Sequence, residues 1–228
     1  MCGRVRLGTD SSQIRIKLKF DADYPSPNVP PSWNVCPTDS MLVAVRDEQG
    51  RRIPQQMRWG LVPWWAKDVK VGFSSINARA ETVDTTRAFR DAWKKGQRCL
   101  VVTDGFYEWK KPEKQPFAVG MADDSIMVMA GLWDDWKDKK TGEHVKSCTI
   151  ITCPPNAIAG TLHDRMPVVL APDAWGRSLG DEPASPDELK ALLVPCPDET
   201  LKLWPVNRQK VGNVRNKERE VAEPDAAA

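Results

Sequence analysis

A succession of short segments, each bounded by turn-forming residues, constrains the fold of this chain most strongly. They span residues 41–47, 52–59, 99–102, 117–119, 126–130 and 147–152. Alternating or continuously apolar segments of this length are typical of β-strands, and the turn residues at 123–124 and 141–142 predict hairpins. The sequence therefore predicts a core built mainly from antiparallel β structure.

Helices are predicted in three places only. Residues 12–20 and 186–193 suit short helices, and residues 82–95 suit a longer one because Phe89 and Trp93 are four positions apart and so share a helix face. The proline-rich run 25–31 and the following residues 33–38 predict an irregular loop. No repeat or linker divides the chain, so we expect a single α+β domain over residues 1–222 and a frayed tail over 223–228.

Composition excludes several classes of protein. The net charge of +2 is far from that of a chain that binds duplex DNA by charge alone, so any contact with nucleic acid must be local. The six cysteines form no Cys-x-x-Cys pair and there are only two histidines, so we expect reduced thiols, no metal site and no cofactor. No apolar run reaches the length of a membrane span, and we expect a cytoplasmic protein.

Ten tryptophans against two tyrosines are unusual, and most of them are expected in the core. Trp59, Trp64 and Trp65 cluster in one segment, where Pro63 directly precedes the adjacent pair. A proline at that position favours a turn that cannot bury both rings on one strand face. We therefore expect one ring of the pair to be exposed.

The chain begins Met1-Cys2-Gly3-Arg4, and removal of Met1 would leave Cys2 with a free α-amine beside its thiol. Both groups have reference pKa values within about two units of neutrality. The amine can condense with an aldehyde to a Schiff base, and the thiol can then close a five-membered thiazolidine on the same carbon. The alternative interpretation is a Met-Cys start that arose by chance.

Two polar segments have further candidates for chemistry. Asn77 and Arg79 share one face of an extended segment, which Glu81 would continue; an exposed strand edge is the alternative. Glu108 lies between two aromatic residues after a predicted strand and turn, where desolvation would raise its pKa towards the range useful for proton transfer. His163 is followed by Asp164 and Arg165, which either orient the ring and bind phosphate or form a plain surface turn.

Seven motifs in order resemble those of the SRAP family, the SOS response-associated peptidases. They are Met-Cys-Gly-Arg, Trp-Asn-Val-x-Pro-Thr, Trp-Gly-Leu-Val-Pro-x-Trp, Ile-Asn-Ala-Arg-x-Glu-Thr, Gly-Phe-Tyr-Glu-Trp, His-Asp-Arg-Met-Pro and Val-Gly-Asn-Val-x-Asn, and they extend from residue 2 to about residue 216. The resemblance implies a compact, barrel-like α+β fold with a positively charged channel for single-stranded DNA. It also implies removal of Met1, by the protein itself or by an aminopeptidase.

The resemblance assigns roles residue by residue. Cys2 becomes the nucleophile that links to an abasic site, Asn77 holds the N-terminus and the sugar, Glu108 is the acid and base, and His163 assists ring opening. The residues implied to bind DNA are Arg4, Trp64, Trp65, Arg79, Thr152 and Arg165. Cys36 stands where a small residue is common in the family, and we assign it no role.

The resulting hypothesis is a protein that senses abasic sites in single-stranded DNA and forms a covalent thiazolidine crosslink through Cys2 during the DNA damage response. Its expected side activity is weak β-elimination. The expected partner is single-stranded DNA with abasic sites, with no membrane involved, and we expect a monomer that joins the nucleoid on damaged DNA. Two alternatives remain open, an N-terminal-cysteine hydrolase acting on other substrates and a non-covalent binder of single-stranded DNA.

Overall fold

Strands dominate the computed structural model, which describes residues 2–25 and 27–225. The strands are β1 (Val5–Leu7), β2 (Ser32–Val35), β3 (Ser40–Arg46), β4 (Arg52–Trp59), β5 (Asn77–Arg79), β6 (Arg98–Thr103), β7 (Gly105–Lys110), β8 (Gln115–Met121), β9 (Met127–Lys137), β10 (His144–Cys153), β11 (Met166–Pro167) and β12 (Leu201–Pro205). The α-helices are α1 (Ser11–Leu18), α2 (Arg90–Lys94), α3 (Ala157–Gly160), α4 (Trp175–Leu179), α5 (Pro186–Ala191) and α6 (Arg208–Gly212). Within this part of the chain, no helix combines the length and the apolar character needed to cross a membrane.

Five strands close a mixed barrel. They pair in the order β10-β4-β3-β6-β9, and β9 pairs again with β10 to complete the ring. Every pairing in the ring is antiparallel except that of β4 with β10. The short strands β5 and β11 also pair with β10. The barrel-like, mainly antiparallel α+β fold predicted from the sequence is thus confirmed.

The remaining strands form an antiparallel sheet in the order β12-β8-β7-β1-β2, which carries the N-terminus. Side chains alternate between its two faces. Along β7, Phe106 packs into the main core, whereas Tyr107 packs into a smaller cluster with Val206 and Val211 from the C-terminal part of the chain. One face of this sheet therefore covers the barrel, and the C-terminal segment covers the other.

Most predicted strands and both outer helices are confirmed. The pair β3–β4 is a hairpin with Val43 opposite Gln55, and β9 and β10 form the hairpin predicted around residues 141–142. The hairpin predicted at Asp123 is wrong, because β8 and β9, which it joins, lie in different sheets. Helix α5 carries the reciprocal capping box of Ser185 and Glu188.

Three further predictions need correction. The helix expected over 82–95 is confined to α2, because a series of turns precedes it and the Thr85 hydroxyl donates to the Thr82 carbonyl instead of supporting a helix start. Part of the expected loop 33–38 is strand β2, which lies at the sheet edge, where flanking prolines are tolerated. Pro224 bridges to Val206, so the tail predicted to fray from residue 223 is paired there; residues 226–228 lie outside the described ranges.

Candidate functional site at the N-terminus

Cys2 lies in the interior of the protein, just before β1, with no exposed surface. Its main-chain carbonyl accepts a hydrogen bond of 2.7 Å from the side-chain Nδ2 of Asn77. Asn77 opens β5, which the parallel pairing with Ile150 of β10 holds against the barrel. The bond therefore ties the N-terminal segment of one sheet to a strand of the other.

The other end of the Asn77 amide is uncommitted. Its Oδ1 is buried, and among residues 2–25 and 27–225 it has no hydrogen-bond partner. A buried amide oxygen without a partner carries a desolvation cost of about 1–3 kcal/mol. An incoming hydroxyl or amine beside Cys2 could satisfy this acceptor, which is the arrangement expected of a residue that holds both the N-terminus and a ligand.

Glu108 is buried beside the N-terminal segment. It follows β6 and a turn, as the sequence predicted, and lies within the next strand, β7, where only 4% of its surface is exposed. The preceding residue, Tyr107, donates its main-chain N–H to the Arg4 carbonyl at 2.9 Å, which aligns β7 with the start of β1. Burial raises the pKa of the Cys2 thiol far above its usual range, and the negative charge of Glu108 raises it further. The thiol is therefore neutral at physiological pH.

Arg4 connects the N-terminus to two distant segments. Its Nη1 donates to Asn34 Oδ1 and to the Val211 carbonyl, both at 2.7 Å, and its guanidinium lies 5.7 Å from the Trp109 ring centroid. Asn34 is completely buried, and its Nδ2 donates in turn to main-chain carbonyls of the segment 211–216. The sequence did not assign Asn34 a role. The Trp-Asn-Val motif, which contains Asn34, and the Val-Gly-Asn-Val motif were both identified from the sequence, and the structure shows that they meet here.

His163 follows α3 and has a side chain that is 19% exposed. Its Nδ1 accepts the main-chain N–H of Arg165 at 3.1 Å and also lies 2.7 Å from the Asp164 carboxylate. The first contact requires an unprotonated Nδ1 and the second a protonated one. The two contacts exclude each other, so the tautomer of the ring decides which of them forms.

Arg165 and Thr152 are committed to internal contacts. The Arg165 guanidinium binds both carboxylate oxygens of Glu81, at 2.5 and 2.9 Å, and donates to the Thr152 carbonyl at 2.6 Å. This guanidinium holds the pKa of the Glu81 carboxyl below its usual range. Thr152 is buried in β10, and its hydroxyl donates to the Ala78 carbonyl. Arg79 lies opposite Thr152 in the β5–β10 pairing and is exposed.

The tryptophan pair lies on the surface, and the prediction of one exposed ring is confirmed. Trp64 is 51% exposed, its Nε1 donates to Asp91 at 3.1 Å, and the Lys95 ammonium lies 5.5 Å from its ring centroid. Trp65 is partly buried, with the Arg87 guanidinium 4.4 Å from its ring centroid. Each flat ring is accompanied by a cation, a combination suited to stacked bases and their phosphates.

The structure thus brings the four candidate catalytic residues together only in part. Asn77 contacts Cys2 directly, and Glu108 acts on the Cys2 thiol through its charge. His163 is linked through Arg165 to the strand β10, which also positions Asn77. The candidate DNA-binding residues divide into those committed to internal contacts, which are Arg4, Thr152 and Arg165, and those at the surface, which are Trp64, Trp65 and Arg79.

Known proteins resemble the chain along nearly its whole length. Residues 1–214 match the family described as SOS response associated peptidase (SRAP). The abasic site processing protein YoaM of Bacillus subtilis is 37% identical over 210 residues, which cover 91% of either chain. The abasic site processing protein YedK of Escherichia coli is 32% identical and covers 98% of this chain and 100% of its own. The abasic site processing protein HMCES of Xenopus tropicalis is 31% identical and covers 85% of this chain and 66% of its own.

Solved structures confirm the fold. A crystal structure of a protein from Bacteroides thetaiotaomicron superimposes with a TM-score of 0.88 at 22% identity and covers 98% of this chain. A second, from Bordetella bronchiseptica, has a TM-score of 0.76 at 27% identity and covers 90% of this chain. Both are matched over 100% of their own length, so the barrel and the sheet beside it form one shared architecture.

Proposed function

Because the chain belongs to the SOS response associated peptidase (SRAP) family, we propose that it processes abasic sites in single-stranded DNA by forming a covalent crosslink through Cys2. The substrate is suggested by the names of the relatives, which are abasic site processing proteins. One observation carries the proposal for the chemistry: the Cys2 carbonyl is held by Asn77 while the charge of Glu108 acts on the Cys2 thiol. A cysteine at position two is thereby fixed beside a potential proton carrier.

The reaction requires prior loss of Met1, since the Cys2 nitrogen is otherwise an amide with no nucleophilic lone pair. Water adds across the Met1–Cys2 peptide bond, and methionine leaves. Self-processing would use Glu108 as the base that takes a proton from this water; an aminopeptidase is the other route. The bond from Asn77 to the Cys2 carbonyl is made on the side of Cys2 that stays in the chain, so it holds the residue before and after cleavage.

The crosslink then forms in two bond-making steps. The Cys2 amine attacks the C1′ aldehyde of the ring-opened sugar, and the carbinolamine loses one water with Glu108 supplying and accepting the protons. The thiol next adds to the C=N carbon, which forms the C–S bond while its proton passes to the nitrogen and closes a thiazolidine. Because burial keeps the thiol neutral, this step needs a base, and we assign that role to the Glu108 carboxylate, whose charge acts on the thiol.

The remaining site residues bind the lesion and open its sugar. His163 exchanges a proton with the sugar hydroxyl during ring opening. Trp64 and Trp65 stack the flanking bases, and Arg79 binds a phosphate from its exposed position on β5. The Schiff base acidifies the neighbouring sugar carbon, so weak β-elimination accompanies the main reaction.

The proposal is tested with purified protein and a single-stranded oligonucleotide that contains one abasic site. A denaturing gel should show a shifted band, and its intact mass should equal the chain without Met1 plus the oligonucleotide minus one water. The band should be absent for Cys2→Ala and for undamaged DNA. Cys2→Ser keeps the amine but has no thiol, so a heat-stable crosslink from that variant would exclude ring closure.

The same experiment separates the proposal from its two rivals. Sustained turnover of a peptide by protein that has lost Met1, without any DNA adduct, would assign the site to a hydrolase. Binding of DNA that is identical in the wild type and in Cys2→Ala, with no covalent species, would reduce the function to passive binding. If each protein molecule reacts with one abasic oligonucleotide and then stops, only the proposed crosslinking function agrees with the result.

A further inference from the structure

A cleft of about 420 Å³ lies next to the tryptophan pair, between the loop 65–69 and the turn that joins β9 to β10. Trp65 lines it on the side of the loop, and residues 138–140 line it on the side of the turn. The lining residues that matter here are Trp65, Lys67, Asp68, Trp136, Lys139 and Lys140. Trp65 is shared with the candidate DNA-binding surface, and none of the other five has been assigned a role in the site around Cys2.

A hydrogen bond and an apolar cluster fix the residues beneath the cleft. Trp136 is only 5% exposed, and its indole Nε1 donates to the Ala66 carbonyl at 2.8 Å. Val62 and Ala66 are buried with it in a separate apolar cluster, against which Val145 of β10 packs. The loop and the hairpin turn are therefore held at a set distance from each other, and the cleft exists before any ligand arrives.

The charges at the rim are unbalanced. Lys67, Lys139 and Lys140 are exposed, and within residues 2–25 and 27–225 none has a carboxylate within 4.0 Å. The wall also holds two carboxylates, and each accepts a main-chain N–H: Asp68 accepts from Lys70, and Asp138 from Lys140. The cleft lining therefore has three lysines against two carboxylates, and within the described residues none of these lysines forms an ion pair.

The cleft is continuous with the tryptophan pair. Trp65 contributes to its wall, and the Arg87 guanidinium lies 4.4 Å from the centroid of the same ring. Trp64, the more exposed neighbour, carries Lys95 over its own ring. Aromatic faces interleaved with cations are the pattern on which single strands bind without regard to sequence.

We propose that this cleft binds the backbone phosphates of single-stranded DNA on one flank of the lesion, as the strand leaves the Trp64–Trp65 surface. The inference rests on the proposed function for its choice of polyanion. Lysine ammonium groups are point charges on flexible stems, so they attract phosphates without selecting a sequence. The cleft therefore lengthens the footprint on the strand and does not take part in the reaction at Cys2.

The test compares two charge-reversed variants of the full chain. Lys139→Glu/Lys140→Glu alters the cleft, and both positions lie in an exposed turn whose Asp138 contacts involve only the main chain. The matched control is Lys17→Glu/Arg46→Glu, with the same change in charge. Both control positions are exposed, and Arg46 pairs with Arg52 at the opposite end of the β3–β4 hairpin from Trp59.

Fluorescence anisotropy is measured with undamaged single strands of about six and about twenty nucleotides, lengths below and above one binding footprint. The wild type should bind the longer strand more tightly, and the cleft variant should lose about tenfold in affinity for it. Between about 50 and 200 mM salt, the slope of log affinity against log salt should become shallower by about 1.4 in the cleft variant, or about 0.7 for each phosphate contact. The control variant should keep the wild-type preference for the longer strand and the wild-type slope of log affinity against log salt.

The outcomes separate this inference from the proposed function. Equal losses in both variants, or a cleft variant that binds the longer strand like the wild type, would overturn the inference. An equal loss of affinity for a polyglutamate peptide would show a general polyanion surface and would also overturn it. Lys139→Gln/Lys140→Gln, which removes the charges without reversing them, should also lower the affinity for the longer strand. Crosslinking of an abasic strand by the wild type reports on the proposed function alone, because anisotropy uses undamaged DNA.

Discussion

The side-chain amide of Asn77 donates a hydrogen bond of 2.7 Å to the main-chain carbonyl of Cys2, and this bond joins the two sheets at the N-terminus. Asn77 itself is placed by the parallel pairing of β5 with β10. A strand in the middle of the chain therefore positions Cys2, the residue whose amine we propose to react. A displacement of about 1 Å at a reacting centre can cost a hundredfold in rate.

Asn77→Ala should slow the proposed crosslinking by about ten- to a hundredfold, because the Cys2 carbonyl loses its hydrogen bond to β5. The rate is measured by gel with protein shown by mass to lack Met1. Asn28→Ala, at an exposed position in the proline-rich loop, is the matched control and should react at the wild-type rate. Equal rates for the two variants would mean that Asn77 does not position Cys2.

Glu108→Gln should lower the pKa of the Cys2 thiol, since the negative charge that helps to raise it is gone while the burial remains. The pH profile of Cys2 alkylation, followed by mass spectrometry of the N-terminal peptide, should move to lower pH. Crosslinking should nevertheless slow, because the amide cannot carry protons. Glu113→Gln, at an exposed position between β7 and β8, should change neither property. An upward shift of the profile would show that Glu108 does not act on the thiol by its charge.

Arg79 and Arg165 should behave differently although sequence reasoning gave both the same role. Arg165 is bound to both oxygens of Glu81, so Arg165→Gln should lower the free energy of unfolding by about 2 kcal/mol and change DNA affinity little. Arg79 is exposed, and Arg79→Gln should lower the salt slope of binding by about 0.7 and leave stability unchanged. Urea unfolding measures the change in stability, and anisotropy measures the change in DNA binding. A loss of DNA affinity in Arg165→Gln together with a loss of stability in Arg79→Gln would contradict the prediction.

The local parts of the fold could be predicted from the sequence because their signals are local. The β3–β4 and β9–β10 hairpins follow from short apolar segments on either side of turn residues, and helix α5 follows from its capping pattern. The parallel pairing of β4 with β10 leaves no such signal, because it joins Trp59 to Cys148 across a long stretch of chain. The closed barrel thus followed only from the family resemblance.

The candidate site could be predicted as a set of residues but not as a set of contacts. The motifs identified Asn77, yet not that its amide reaches the Cys2 carbonyl. They placed Arg165 near phosphate, whereas Glu81, distant in sequence, occupies its guanidinium in the absence of DNA. Asn34 was not singled out at all, because nothing in its own segment shows that Arg4 near the N-terminus and the segment 211–217 both meet it.

Stability should fall at alkaline pH through the buried thiol of Cys148. Burial raises its pKa to about 12 from an ordinary value of 9.0, so the folded chain keeps a proton that the unfolded chain loses above pH 9. This stabilisation is complete below pH 9 and declines by about 1.4 kcal/mol per pH unit from there to about pH 12. In Cys148→Ala the loss of unfolding free energy between pH 9 and 10.5 should be about 2 kcal/mol smaller than in the wild type. If Cys148→Ala lost as much unfolding free energy as the wild type between these pH values, the Cys148 thiol would not be the cause.

Asn34→Ala should destabilise the protein by about 2–4 kcal/mol and loosen the N-terminus at the same time. The substitution removes the acceptor for Arg4 and the amide that donates to the partly buried carbonyls of Asn213 and Asn216. Asn34→Asp keeps the acceptor for Arg4 but places a carboxylate against those carbonyls, so it should not restore stability. Urea unfolding measures the change, with Asn28→Ala as the control. Arg4 is only two residues from Cys2, so Asn34→Ala should also slow crosslinking. The rate is measured at a temperature where the variant is still folded. A wild-type rate there would show that the Asn34 contacts hold the C-terminal segment without positioning Cys2.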